Sequence, residues 1–204
     1  MKVTDAVTKR RSVKWFDPEH RMPEDVFQTV MELALLSPTA FNIQNWRFVR
    51  VTDPAQRTAI RAVAWDQAQV EDASELLVLC FDNKAWERNP ERYWRLAPQD
   101  VQDILVPAIA QYYGGKPQVE RDEGMRSCGL VAQNLMLVAQ ELGYDSCPMD
   151  GFDYQKVGDI IALPEDHEIA LMLVIGKGIK EPWPRPGQLA LDEVLVQNRF
   201  DSSD

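Results

Sequence analysis

The chain has 204 residues, 45% of them hydrophobic, enough to bury a sizeable core and short enough that one domain over 1–204 is expected. Its formal charge of −10 argues against nucleic acid and anionic membrane surfaces, whose phosphates call for clustered Lys and Arg. No stretch approaches the roughly 18 uninterrupted apolar residues of a spanning helix, and the start MKVTDAVTKRRSVKW lacks an apolar export segment, so a cytoplasmic protein is expected.

Three cysteines, Cys80, Cys128 and Cys147, have no CxxC spacing and read as reduced, packed thiols. Two histidines, His20 and His167, stand too far apart for a zinc site, so no metal is expected. GxSxG, GxxxxGK[ST] and GxGxxG are all missing, which removes the nucleophile-elbow, P-loop and dinucleotide-fold readings.

Along the chain, Val26, Phe27, Val30, Leu33 and Ala34 after Pro23 predict an amphipathic helix over about 23–36, closed by Ser37-Pro38. Trp46 to Val51 alternates with period two and predicts a strand with one face buried. Asp53-Pro54 is a helix start, with a helix expected near 54–64. Glu75 to Phe81 is a continuous apolar run, the mark of a strand covered on both faces. The stretch 83–100 has no clean period and reads as a lid or a mobile helix. From Asp122 to Leu142 apolar residues fall on nearly every face, predicting a buried helix in a core or a dimer interface, with Gly143 as its C-cap. Asp153 caps a short helix ending at Leu163-Pro164, and Ile169 to Gly176 is a second fully buried strand. Glu193 to Val196 reads as a last extended run that needs a partner. Helices outnumber strands in mixed order, so the class is α+β around a central sheet.

Two segments suit a ligand. Arg10-Arg11-Ser12-Val13-Lys14 is the densest basic cluster; it reads either as a solvated face or as an anion site in which Arg10, Ser12 and Lys14 alternate along an extended segment. Ser37 to Trp46 is a turn crowded with amides and hydroxyls, where Asn42, Gln44 and Trp46 recur at period two like the edge of a pocket.

RRSVKWF resembles the RRSxRxF motif of the nitroreductase family, and SPTAFNIQNWRF resembles its SPSxxNxQPWxF motif. CPMDGFD is similar to its Pro-x-Glu-Gly-Phe-Asp loop, and LPEDHEIALMLVIGKG to its closing strand. The resemblance spans essentially the whole chain with the motifs in order. It implies a three-layer α/β/α sandwich with a mixed, mainly antiparallel sheet, and a C-terminal extension exchanged in a homodimer that holds FMN at its interface.

By the same resemblance, Arg10, Arg11, Ser12 and Lys14 hold the FMN phosphate and the pyrimidine side of the flavin, Lys14 standing where many members have Arg. Pro38, Thr39, Asn42 and Gln44 approach from the partner subunit, with Asn45 replacing a usual Pro. Gln67 and Gln69 lie against the ring edge, Gln69 being favoured. Pro148, Met149, Asp150 and Gly151 lie near the reactive N5 side, Asp150 replacing a Glu. Arg185 and Gln188 fall near the phosphate contacts of the tail. Phe41, Trp86, Tyr93, Trp94 and Phe152 wall an acceptor pocket.

The implied activity is hydride transfer from NADH or NADPH through flavin N5 to small nitroaromatics, quinones or enones in a ping-pong cycle, with no catalytic side chain required because the cofactor carries the chemistry. The alternatives are a specialised member (dehalogenating, flavin-destroying or azoline-oxidising), a non-catalytic FMN-binding module, and a structural protein without cofactor.

Overall fold

The computed structural model describes residues 1–200. In chain order it contains helix α1 (Val3–Lys9), α2 (Glu24–Ala34), a short 3₁₀ turn (Ala40–Asn42) and strand β1 (Trp46–Arg50). Helices α3 (Pro54–Ala62) and α4 (Gln69–Asp72) then lead into β2 (Glu75–Asp82) and a second 3₁₀ turn (Pro90–Tyr93). Helices α5 (Gln99–Tyr113) and α6 (Pro117–Glu141), β3 (Asp145–Met149), α7 (Tyr154–Ile160), β4 (His167–Gly176) and α8 (Leu191–Val194) complete the order. None of the described helices is long and apolar enough to cross a membrane.

The strands form one sheet in the order β1-β2-β4-β3, every neighbouring pair antiparallel. The expected mixed character reduces to one isolated parallel bridge, Ser12 to Ser146. Side chains alternate across a strand, so the continuous apolar runs of β2 and β4 feed two cores at once. Leu77, Leu79, Phe81, Leu173 and Ile175 face a core built with α2 and α6. Leu76, Val78, Cys80, Met172 and Val174 face a second one built with α3, α4 and α7. Helices therefore cover both faces, giving the α/β/α layering.

Local chemistry explains the element ends. Asp53 accepts a hydrogen bond from the Ala55 N–H at 3.0 Å and caps α3, while Asp153 accepts from Lys156 N–H at 3.1 Å and caps α7. Gly143, at φ +78°, follows the last residues of α6 in the left-handed position that ends helices. That helix turns its Cys128, Val131, Leu135 and Ala139 stripe to the sheet, and leaves Gly129, Leu130 and Gln133 facing outward. Its contact with β2 is close: a Cβ built on Gly124 would lie 2.1 Å from the Phe81 ring.

Several elements differ from expectation. α6 begins at Pro117 rather than 122, because its first turns are polar yet anchored by Glu120, a buried carboxylate that accepts from Lys84 Nζ at 2.8 Å and from Trp86 Nε1 at 2.9 Å. The loop expected around CPM is instead edge strand β3, where Pro148 is tolerated in an outermost strand. The stretch 83–98 is a series of turns around one 3₁₀ turn, and a helix follows over 99–113. Glu193 to Val196 is not an extended run: Ala190 N–H donates to the Glu193 carboxylate at 2.8 Å and closes one helical turn, overriding the β preference of the valines and leucine. Leu191, Val194, Leu195 and Val196 remain exposed in this chain.

All three thiols are buried, and burial pushes those of Cys80 and Cys128 up to about 12. Burial likewise raises Cys147, although Lys14 and Arg10 pull it partly back. At pH 8 the thiolate fraction of Cys80 and Cys128 is then roughly 10⁻⁴. A disulfide reagent added at that pH should label no cysteine rapidly in the folded protein and three in denaturant; fast labelling of the native protein would contradict the packing.

Candidate functional site

The segment after α1 is extended and two-sided. Val13 and Phe16 point into the core at 2% and 1% exposure, while Ser12 and Lys14 point out. Val13 N–H donates to Ser146 O at 3.1 Å, which ties the segment to the edge of β3. The tail from Lys177 crosses back over it and, with Arg10, Ser12, Lys14 and Trp15, encloses a cleft of about 320 Å³ closed by Trp183 and Arg185.

Four cations meet here: Arg10, Arg11, Lys14 and Arg185. Among the described residues none has a carboxylate within ion-pair distance, although the chain carries ten more acids than bases. Burial, and then the neighbouring Arg185 and Arg11, hold the Arg10 guanidinium below its usual value. Arg185 donates to the carbonyls of Thr8 (3.2 Å) and Arg10 (2.9 Å), where the end of α1 carries partial negative charge. Arg11 donates to Trp183 O, and Lys14 Nζ stands 5.9 Å from the Trp183 ring. The Arg10 guanidinium donates to no acceptor among the described residues. Such a cluster is incomplete electrostatically until an anion enters.

A second group lies where β3 ends. Gln67 Nε2 donates to Gly151 O at 2.9 Å, and Gln69, buried at 4% exposure, donates to Gln67 Oε1 at 2.9 Å. The two glutamines and the Asp150-Gly151 corner are thus one hydrogen-bonded unit, reached from Ser12 along β3. Met149 and Phe152 do not join its surface: both side chains are buried in the second core, and Phe152 stacks on Tyr154 at 4.2 Å. Pro148 lies half-buried within β3. Trp65, which sequence reasoning missed, stands 79% exposed on left-handed backbone (φ 54°), and Asp66 follows at φ 53°. Its ring occupies the space beside Gly151, where a Cβ would approach to 2.5 Å. No residue-type signal marks such a turn, since Trp is not a turn former.

The third group is the turn 38–44. Thr39 Oγ1 accepts from Gln44 N–H at 3.0 Å, Asn42 Nδ2 donates to Tyr93 O at 2.8 Å, and Trp94 Nε1 donates to Phe41 O at 3.0 Å. Phe41, Asn42 and Gln44 all have positive φ, at 53°, 55° and 41°. Phe41, Trp86, Tyr93 and Trp94 gather around Ile43, Ile109 and Tyr113 as a small core of their own, with Trp86 stacked on Tyr113. Pro38 is exposed at the head of the turn.

The first two groups adjoin; the third does not. The turn feeds β1 beside the Trp46-Phe81 pair, level with Glu168 on β4, whereas Ser12 meets β3 beside Ser146, level with Ile175. The separation is four strand spacings, roughly 19 Å, across the sheet and roughly 20 Å along it. One trio of two carboxylates and an imidazole, Asp82, Asp166 and His167, has its ligand atoms within 4.8 Å of one another, but Asp82 is bridged by Arg47 (3.2 Å) and Arg88 (2.9 Å) and so already carries its countercharge.

Comparison with known proteins gives a consistent neighbourhood. A family model described as the nitroreductase family matches residues 7–177. Protein DrgA of Synechocystis sp. is 48% identical over 200 residues, covering 96% of this chain and 95% of its own. MhqN of Bacillus subtilis, whose name assigns it provisionally to the NAD(P)H nitroreductases, is 31% identical over 85% of this chain and 87% of its own. A protein of Exiguobacterium sibiricum whose crystal structure contains FMN superposes with a TM-score of 0.89 at 27% identity, covering 96% of this chain and 97% of its own.

Proposed function

The chain belongs to the nitroreductase family, and from that membership together with its uncompensated cation cluster we propose that it is an FMN-dependent oxidoreductase that draws electrons from NADH or NADPH and reduces small organic acceptors. The observation that carries the reading is the set of Arg10, Arg11, Lys14 and Arg185 around Ser12 without a carboxylate partner among the described residues. That donor set fits a phosphate: guanidinium forks, an ammonium and a hydroxyl match its oxygens, and the anion relieves the mutual repulsion that weighs on Arg10.

FMN, when bound, supplies hydride acceptance and donation at its N5. The residues of this chain supply binding, orientation and polarity. Arg10, Ser12 and Lys14 would hold the phosphate and the pyrimidine side, Lys14 contributing a positive charge there. The Gln67-Gln69 unit presents an amide edge to the ring. Gly151, lacking a side chain, makes room for the Trp65 ring, so that the indole and the Asp150-Gly151 backbone would together form this corner of the site.

Pro38, Thr39, Asn42 and Gln44 serve the site of a second copy. Their distance from Ser12 within one chain supports this, because no ligand of FMN size touches both corners. We therefore read the functional unit as a homodimer of one-domain chains in the cytoplasm, with the exposed apolar tail from Leu189 to Phe200 lying against the partner. Phe41 then contributes to the acceptor side of the partner's site, with Trp86, Tyr93 and Trp94 packed behind it as support, while Phe152 belongs to the core.

Purified protein should be yellow, release FMN on denaturation and bleach under anaerobic conditions when NADH or NADPH is added. Colourless protein that takes up no FMN would refute the reading, and bound flavin that neither nucleotide bleaches would reduce it to a flavin-binding module. Turnover on a panel of quinones, nitroaromatics and enones then identifies the acceptor class.

A further inference from the structure

The turn 39–44 is held in a conformation that its own residues disfavour. Asn tolerates left-handed backbone through its short polar side chain, but Phe and Gln do so poorly, and three such residues within four positions form an unstable local arrangement. Residues in this state persist only where their surroundings determine them. Two bonds inside the turn contribute, from Gln44 N–H to Thr39 Oγ1 and from Gln44 Nε2 to Asn42 O at 3.2 Å. Two others come from outside it, and both end on the consecutive residues Tyr93 and Trp94: Asn42 Nδ2 donates to Tyr93 O, and Trp94 Nε1 donates to Phe41 O.

The 3₁₀ turn that carries Tyr93 is itself secured to the body of the protein. Tyr93 OH donates to Ala85 O at 3.0 Å, and Trp86, one residue on from Ala85, is fixed by Glu120 on α6 and stacked on Tyr113 of α5. The path runs from a buried carboxylate through the Trp86 indole and the Tyr93 phenol to the neighbouring Trp94 indole, which holds the carbonyl of left-handed Phe41. The indole N–H of Trp94 is used in this way, and it is turned toward the backbone of 41 rather than toward open space.

We propose that Trp94 is a positioning residue: its N–H clamps the Phe41 carbonyl and so presets the left-handed turn from which Thr39, Asn42 and Gln44 reach the partner's flavin. The proposal rests on the flavin reading given above. It separates Trp94 from a substrate-contacting role: substitution acts on the flavin environment for every acceptor alike, not on the choice among acceptors.

Trp94→Phe keeps the ring in the aromatic cluster and deletes only the donor. Losing one hydrogen bond of ordinary strength should raise the Kd for FMN roughly fivefold. The visible circular dichroism of bound FMN should change, and kcat/KM should fall by a similar factor for a quinone and a nitroaromatic. Trp94→His, which retains a ring N–H, should recover most of the affinity. Gln102→Ala is the matched control: it removes one hydrogen bond from the same excursion, Gln102 Nε2 to Ala97 O at 2.8 Å, without touching the turn, and should leave FMN affinity and spectrum unchanged.

Trp94→Phe with wild-type FMN affinity and dichroism overturns the proposal, as does Trp94→His binding no better than Trp94→Phe. Equal losses in Gln102→Ala and Trp94→Phe overturn it too, since they would reflect general loosening. Failure of the wild-type protein itself to bind FMN is a different result, and refutes the flavin reading on which the proposal stands.

Discussion

Combined replacement of Arg10 and Lys14 by Ala should give a folded protein that has lost its flavin. In the proposed site each of the two would supply a charge-assisted contact to the phosphate, worth about 1.5–3 kcal/mol, so the double variant should bind FMN at least ~100-fold more weakly. Stability of the flavin-free protein should hold or rise, because the substitutions thin a cluster in which Arg10 is already disfavoured by burial and by Arg185 and Arg11. Lys14→Ala alone should also slow flavin reduction by the nicotinamide, and Lys14→Arg should restore both binding and rate. Equilibrium titration with FMN and stopped-flow reduction are the measurements. Full FMN content in the double variant would remove the phosphate assignment, whatever the activity.

The second large effect concerns the sheet-helix contact rather than the site. Gly124→Ala places a methyl group 2.1 Å from the ring of Phe81, itself 0% exposed between α6 and the other central strand residues. Overpacking of this kind costs about 1–3 kcal/mol. For a chain of this size that corresponds to a Tm lowered by roughly 3–10 °C. Phe81→Leu in the same chain should recover part of the loss by vacating the space. A calorimetric Tm for Gly124→Ala within a degree of wild type would show that α6 can move away from β2 freely. Ala is the better helix former of the two residues, so any destabilisation must come from the contact and not from propensity.

Much of this arrangement was legible in the residues. Runs such as Ile169 to Gly176 have apolar side chains on both pleats, and only a strand with two covered faces buries them. Asp53-Pro54 and Asp153 announced helix starts through chemistry that is local by nature. The alternation of Arg10, Ser12 and Lys14 gave the extended basic segment, and Val13 and Phe16 between and after them are its anchors.

What escaped was set by distant contacts. The first turns of α6 look solvent-exposed until Lys84, far back in the chain, neutralises Glu120 and Trp86 donates a hydrogen bond to it. β3 contains a proline and pairs only because it sits at an edge. Met149 and Phe152 occupy a loop-like motif yet point inward, since β3 and α7 between them turn that stretch to the second core. Trp65 and the left-handed turn at 41–44 are positions where tertiary structure overrides local preference, and no propensity scale signals them. The short helix at 191–194 went the other way: one carboxylate on one backbone N–H outweighed the β-branched character of its neighbours.

The cations of the proposed site, which have no ion-pair partner among the described residues, also bear on how an anionic ligand would arrive. At physiological salt a charge is felt over about 8 Å. Outside that range an approaching phosphate meets a surface whose formal total is −10 and is turned away from most of it. Only within the last few water layers does the corner formed by Arg10, Arg11, Lys14 and Arg185 reverse the sign. Capture at the proposed site would therefore be short-ranged and local: the acidic body discourages adhesion of phosphorylated metabolites elsewhere, and the basic cleft gains selectivity from the repulsive surface around it.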